Sequence, residues 1–102
     1  GLAIFESGAL MVHLCEHYAP QFLPTDAAGR SQALQWLFWV NAGLGPMAGQ
    51  VSHFSYYAPK LAPDADHSYS LDRYKREFER LISVMERQLK ELHLRIVQPI
   101  KV

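Results

Sequence analysis

A carboxylate and a hydroxyl stand side by side at Glu6 and Ser7, where a short apolar run gives way to a helical pattern. The N-terminus of a helix offers free backbone N–H groups and the positive end of its dipole, which favour a carboxylate or a phosphate. The hydroxyl adds a donor, and the neighbouring carboxylate can hold an ammonium group. The pair therefore suits the head of an α-amino acid. The simpler interpretation is that Ser7 is a helix N-cap and Glu6 a solvated residue just outside it.

Two histidines are the next residues whose spacing bears on chemistry. His13 and His17 are four residues apart and share one face of a helix, which is compatible with two metal ligands. Nothing nearby supplies a third and a fourth ligand, so we predict no metal site. Cys15 lies on or beside the apolar stripe and is predicted to be an inert core thiol. No Ser, His and Asp arrangement and no glycine-rich phosphate loop is present, so no catalytic residue is assigned.

Arg80 is the third candidate, because it belongs to a polar helix face but directly precedes the apolar pair Leu81 and Ile82. One interpretation is that its guanidinium lies along the rim of a helical core. The other is a solvated arginine close to Glu77 and Glu79. The residues alone leave both interpretations open.

The elements that flank the carboxylate–hydroxyl pair are predicted to be a strand and a helix. Residues 2–5 form an apolar run with branched and aromatic members, which indicates a buried strand. In residues 9–18 the apolar positions recur at steps of three and four, which predicts a short helix that ends before Pro20. A single strand leaves its ladder groups unpaired, so we expect its sheet partners to lie outside this chain.

A second helix is predicted to begin near Thr25 or Asp26, either of which can cap it, and to continue to residue 54. Its apolar residues cover almost the whole circumference, so other helices or a partner subunit must cover it on several sides. Pro46 lacks a backbone donor, which predicts a kink or break near residues 43–46. One face of this helix is formed by Leu34, Leu37, Phe38, Asn41, Leu44 and Ala48.

Residues 56–70 are predicted to form a polar, proline-marked loop that leads into a third helix. Ser70 is the expected cap, and Asp72 is expected in the first turn, where a negative charge suits the helix dipole. This helix has the clearest amphipathic pattern in the chain, and it ends near Leu92. The remaining residues, 93–102, break the pattern at Pro99 and have no evident role.

The composition is that of a globular chain, without the excess basic charge typical of proteins that bind nucleic acid or acidic membranes. Its 102 residues are enough for one modest core, and its 10 Lys and Arg balance its 10 Asp and Glu. The one cysteine excludes an internal disulfide and fits a reducing compartment. No apolar run approaches membrane-spanning length, so a cytoplasmic location is expected. The chain opens with Gly1 instead of Met, and we expect it to be a piece of something longer.

The order of these motifs resembles the middle of a cytosolic glutathione transferase. The resemblance is carried by FESGAL and the short helix after it, the linker FLPTD, the stretch LQWLFWVNAGLGPMAGQVSHF and the segment DRYKREFERLISVMERQL. The tryptophan-rich stretch with GLGPMAGQ is similar to the group that includes Nu-class disulfide-bond oxidoreductases and the globular domain of the yeast nitrogen-repression prion protein. Residues after Leu92 do not match this pattern.

The resemblance implies a mainly α fragment. Residues 1–19 would be the final strand and helix of a thioredoxin-like domain, 20–25 a linker, and 26–92 the first two helices of the all-α C-terminal domain. Residues 93–102 would be an unmatched tail. The part that would carry the thiol-activating residue and the helices that complete the all-α domain are expected to be missing from this chain.

The resemblance also implies a function. In that family a Glu-Ser pair binds the γ-glutamyl end of glutathione, so Glu6 and Ser7 become glutathione-binding residues, and Arg80 is implied to lie close to the bound tripeptide. Glutathione would be a co-substrate that the parent protein conjugates to electrophiles or uses to reduce disulfides, and the parent would be a homodimer. The alternatives are a non-catalytic binding or regulatory module and a truncated remnant that folds poorly. Whether this chain is itself an enzyme is left open.

Overall fold

The computed structural model describes residues 1–92, and all regular structure in that range is helical. The mainly α prediction is therefore confirmed, whereas the unmatched tail at residues 93–102 lies outside the described residues. No helix within residues 1–92 has the length and apolar character needed to cross a membrane. The α-helices are α1 (Ser7–Tyr18), α2 (Ala27–Trp39), α3 (Gly45–Ser52), α4 (Ala58–Leu61) and α5 (Ser68–Glu91).

The strand predicted at residues 2–5 does not form, so this prediction was wrong. Those residues have no regular secondary structure, and no strand occurs anywhere in residues 1–92. The physical reason is that a strand exists only through its ladder of hydrogen bonds, and the described chain offers no second strand to pair with. Leu2 and Phe5 consequently remain 76% and 86% exposed.

Helix α1 begins one residue earlier than it would if Ser7 were its N-cap. Glu6, not Ser7, is the N-cap residue, and Ser7 is the first residue of the helix. At the other end the Ala19 N–H donates to the carbonyls of Leu14 and Cys15, at 3.1 and 3.3 Å. Pro20 cannot donate a further helical bond, and the chain continues as a 3₁₀ turn at Pro20–Phe22.

Helix α2 starts where the sequence predicted, with Asp26 as its cap. The Asp26 carboxylate accepts a hydrogen bond of 2.8 Å from the Gly29 N–H, which satisfies one of the free donors of the first turn. Within the same part of the chain, Arg30 of α2 forms a 2.7 Å ion pair with Glu16 of α1. These two contacts fix the entry of α2 and connect it to α1.

The irregularity predicted around Pro46 takes the form of a π turn at Val40–Leu44, after which the helix resumes as α3. Proline has no N–H, and its ring crowds the carbonyl four residues earlier. The wider turn places the Gly45 N–H on the Val40 carbonyl, five residues back. The helical path is thus widened instead of broken.

A second π turn at His53–Tyr57 precedes a second proline, Pro59, in the short helix α4. The predicted loop is accordingly shorter than residues 56–70, because its first part is helical. The Ala58 N–H donates to the His53 carbonyl across this turn. The Ser55 hydroxyl also donates to the Val51 carbonyl at 2.6 Å.

Helix α5 begins at Ser68, before the predicted cap at Ser70, so that cap assignment was wrong. The residue that stabilises the start is Asp66, whose carboxylate accepts a 2.9 Å hydrogen bond from the Ser68 N–H. Since the helix begins earlier, Asp72 lies in its second turn and not in the first. Tyr74 of α5 stacks on Phe54 of the second π turn, with ring centroids 5.6 Å apart.

The described chain divides into two compact units, Gly1–Gly45 and a second that begins at Pro46. Each unit buries little: the buried apolar side chains are Leu23 in the first unit and Ala58 and Leu81 in the second. Many large apolar side chains are exposed instead, including Leu10, Met11, Leu14, Tyr18, Phe22, Phe38, Tyr56, Tyr57, Leu61 and Tyr69. In the second helix, which was predicted to need covering on several sides, Phe38 and Val40 remain exposed.

Candidate functional site

The backbone of Glu6 adopts an uncommon conformation at the start of α1. Its φ is 74° and its ψ 115°, and within residues 1–92 it is the only residue other than glycine with a positive φ. Such a conformation costs about 1–3 kcal/mol for an L-residue with a side chain. Strain of this kind persists only where the surrounding structure holds it in place, and it is concentrated at functional sites.

The first turn of α1 leaves backbone donors unpaired beside this strained residue. The first helical hydrogen bond runs from the Leu10 N–H to the Glu6 carbonyl at 3.0 Å. The backbone N–H groups of Ser7, Gly8 and Ala9 precede that bond and have no intrahelical acceptor. No side-chain cap bond closes this end of α1, and Glu6 and Ser7 are both exposed. The two predicted residues are therefore brought together with a set of free amides.

Gly8 and Asn41 form a contact next to this turn that the sequence analysis did not single out. Gly8 is the only buried residue of α1. A Cβ atom at position 8 would overlap the Asn41 Nδ2 atom, and it would lie 3.5 Å from Asn41 Cγ and 3.9 Å from Leu37 Cδ2. The available signal was an asparagine on an otherwise apolar face of the second helix, opposite a glycine that directly follows the Glu-Ser pair.

Arg80 belongs to the second unit and makes a two-point contact with Glu77 on α5. Its Nε donates to Glu77 Oε2 at 2.9 Å and its Nη2 to Oε1 at 2.7 Å. This hydrogen bonding raises the pKa of Arg80 and lowers the pKa of Glu77. The Arg80 side chain is 60% exposed and that of Glu77 40%, which matches the solvated alternative with Glu77 as the neighbour.

A cleft of about 780 Å³ in the second unit includes Arg80 in its wall. Arg76, also in this wall, pairs with Asp72 at 3.0 Å. The cleft is lined by Met47, Tyr69, Asp72, Arg73, Tyr74, Arg76, Glu77 and Arg80. Arg80 thus lines a cleft of its own unit, whereas Glu6 and Ser7 lie in the first unit.

The two histidines of α1 pack against each other, with the ring centroids of His13 and His17 4.3 Å apart. Residues 1–92 contain no group of three or more His, Cys, Asp or Glu side chains that could hold a metal ion. Cys15 is a free thiol and is half-buried, so it is less enclosed than the core position predicted for it.

Comparison with curated proteins finds relatives that match most of this chain but only part of their own length. The disulfide-bond oxidoreductase YfcG of Escherichia coli is 42% identical over 88 residues, which are 86% of this chain and 38% of that protein. The transcriptional regulator URE2 of Saccharomyces cerevisiae is 36% identical over 95 residues, covering 88% of this chain and 25% of the regulator. No family model matches the chain.

Solved structures extend the similarity to the fold. A glutathione transferase from Pseudomonas putida with one glutathione disulfide bound per subunit aligns with a TM-score of 0.77 at 42% identity, over 88% of this chain and 37% of that one. A glutathione transferase from Burkholderia graminis with two glutathione molecules bound per subunit aligns with a TM-score of 0.74 at 41% identity. The alignment covers 87% of this chain and 35% of that one.

These matches agree in sequence and in backbone, and each covers more than four fifths of this chain. The chain spans between a quarter and two fifths of the length of these relatives. Over the matched residues, this chain is a relative of the glutathione transferases and of the disulfide-bond oxidoreductases similar to them.

Proposed function

We propose that Glu6, Ser7 and the first-turn amides of α1 bind the γ-glutamyl end of glutathione. The observation that carries this proposal is the strained Glu6 backbone beside three free N–H groups and an exposed hydroxyl. The α-carboxylate of the ligand would accept hydrogen bonds from Ser7 and the amides, helped by the helix dipole. The α-ammonium would pair with the Glu6 carboxylate. Solved relatives of this chain hold glutathione or glutathione disulfide, which supports the choice of ligand.

Arg80 is included in the proposal as a residue near the bound tripeptide. Its Nε and Nη2 are engaged by Glu77, and the guanidinium has further donors that can serve a ligand. A guanidinium already held by a carboxylate loses less side-chain freedom when it binds an anion. We expect its contribution to be smaller than that of Ser7, because Arg80 is exposed and its charge is screened by solvent.

For the longer protein of which such a segment is part, we propose a homodimeric, cytoplasmic enzyme. It would use glutathione as a co-substrate, either to form a thioether with an electrophile or to reduce a disulfide. Residues 1–19 would then close a thioredoxin-like domain, 20–25 would be the linker, and 26–92 would begin the all-α domain. This proposal rests on the named activities of the relatives and on the open helix faces of the isolated chain.

A regulatory role is the second candidate, because one matched relative is a transcriptional regulator. Both candidates require the same glutathione site, so binding alone does not separate them. Turnover of a model electrophile or a small disulfide by the full-length protein would favour the enzyme. Binding without turnover would favour the regulatory module.

Calorimetric titration of the chain with glutathione tests the site. Ser7→Ala removes one donor to a charged group, for which we expect an affinity loss of roughly tenfold to a hundredfold. Glu6→Gln should weaken glutathione binding by a similar factor. Cysteinylglycine, which lacks the γ-glutamyl group, should bind poorly to every variant. Ser52→Ala is the matched control, because Ser52 is an exposed serine of the second unit. Equal affinity of the chain and the two site variants would exclude the proposed site.

A further inference from the structure

We propose that Asn41 is a positioning residue for the glutathione site, acting through Gly8; this inference rests on the proposed function. Gly8 directly follows Ser7, and its backbone N–H is one of the three free donors of the first turn. It is also the point at which α1 touches the first π turn, because the Asn41 side chain occupies the volume that a Cβ at position 8 would need.

The contact fixes the binding turn from one side only. Glu6 and Ser7 are exposed, as are Ala9 and Leu10, so Gly8 is the one buried residue in this stretch. A shift of the Asn41 amide therefore passes directly to the Gly8 backbone, where no other buried neighbour on α1 resists it. Hydrogen bonds to an anion depend steeply on donor distance and angle, so a small displacement of this turn weakens binding.

Helical spacing explains why the amide reaches this place. Asn41 follows Leu37 by four residues, so the two share a helix face, and a Cβ at position 8 would meet both side chains. The polar side chain is half-buried on an otherwise apolar helix face, where a leucine or alanine would be the ordinary choice. Its amide packs against glycine instead, which allows the two backbones to approach closely.

The test is a double-mutant cycle on glutathione affinity, measured by calorimetry on the chain. Gly8→Ala should weaken binding about tenfold, since the new methyl displaces either the amide or the first turn. Asn41→Ala should weaken binding by a smaller factor. The double variant Gly8→Ala/Asn41→Ala should recover most of the affinity, because the methyl at position 8 fills the space that the amide leaves. Gly49→Ala is the matched control, because a Cβ there meets nothing within 4 Å.

A second readout does not depend on the ligand. Asn41→Ala should move the backbone amide resonances of Ser7 and Gly8, whereas Gly49→Ala should leave them in place. If Gly8→Ala does not fold, the affinity and the resonances of Asn41→Ala decide alone.

The outcomes separate this inference from the proposed function. If the chain binds glutathione and Ser7→Ala loses it, but Asn41→Ala and Gly8→Ala bind like the unaltered chain, the positioning role is overturned and the site stands. Altered stability of the folded variants with unchanged affinity overturns it in the same way, because it indicates packing alone. If the unaltered chain does not bind glutathione, the proposed function and this inference both fail.

Discussion

The Glu6 backbone lies at φ 74° and ψ 115°, a conformation that glycine adopts far more easily than glutamate. A glutamate there lowers the stability of the fold, so its presence is best explained by a function of the carboxylate. Binding an ammonium group beside a helix N-terminus is such a use, because the charge has to stand at this point of the backbone. The strain and the proposed site thus have one explanation at the level of a single residue.

Replacing Glu6 tests this trade directly. Glu6→Gly should raise the free energy of unfolding by about 1 kcal/mol, because glycine relieves the positive-φ strain. Glu6→Gln retains the strain and should leave stability nearly unchanged. Both variants should lose glutathione affinity, since both remove the carboxylate. Denaturant titration gives the free energy of unfolding, and calorimetry gives the glutathione affinity. A Glu6→Gly variant less stable than the unaltered chain would show that the conformation carries no strain.

Two exposed carboxylates predict how the chain responds to acid. Hydrogen bonds from Ser68 lower the pKa of Asp66, and those from Arg80 lower the pKa of Glu77. A depressed pKa in the folded state stabilises the fold above the ordinary carboxylate pKa, and that contribution is lost as the pH falls through the folded-state value. Stability should therefore decline below about pH 5.

Variants of the Glu77 pair isolate its share of this decline. Glu77→Gln should make the free energy of unfolding fall less steeply between about pH 5 and pH 3, measured by urea titration without ligand. In an Arg80→Leu background the same substitution should change the slope much less, because the guanidinium that donates both hydrogen bonds to Glu77 is gone. An unchanged slope for Glu77→Gln alone would contradict the assignment of the pKa shift to this pair.

At the scale of elements, α5 depends on one well-covered position. Leu81 is 5% exposed, whereas the other apolar residues of its stripe are only half-buried. Leu81→Ala should therefore cost about 2–5 kcal/mol, the range for a buried leucine. Leu61→Ala, at a side chain that is 76% exposed, should change stability by less than about 0.5 kcal/mol. Similar losses for both variants would mean that Leu81 is not part of a packed core.

The elements also show what local patterns predict well. The steps of three and four in residues 71–92 predicted α5 because its apolar stripe is continuous, and Asp26 predicted the start of α2 because its carboxylate can reach Gly29. The π turns were not predictable, because proline indicates only that a helical bond is missing and not how the chain absorbs the loss. The first helical residue at Ser68 was missed because Asp66, which stabilises it, lies outside the helix.

At the scale of the whole molecule, the main feature is exposed apolar surface. Phe38 and Leu34 of the first unit line a cleft of about 410 Å³ with Arg30 and Ser31, and Phe38 is 62% exposed. Tyr56, Tyr57 and Tyr69 of the second unit are more than half exposed. Surfaces of this kind are normally covered by another domain or subunit.

The isolated chain should accordingly self-associate. Sedimentation velocity should show a mass that rises with protein concentration, and the thermal midpoint should rise with it, since association stabilises the folded state by mass action. Phe38→Ser should reduce the association, whereas Ser31→Ala in the same cleft should leave it unchanged. A chain that stays monomeric at every concentration would show that these faces tolerate water without a partner.

The sequence by itself determined the longer helices, a cap for α2 at Thr25 or Asp26, and the placement of Glu6 and Ser7 at the start of a helix, because periodicity and capping act over a few residues. Only the tertiary structure decided the positive φ of Glu6, the packing of Asn41 on Gly8 and the absence of a strand at residues 2–5. These depend on groups distant in sequence, or on a partner strand that residues 1–92 do not contain, and no local pattern specifies where such groups meet.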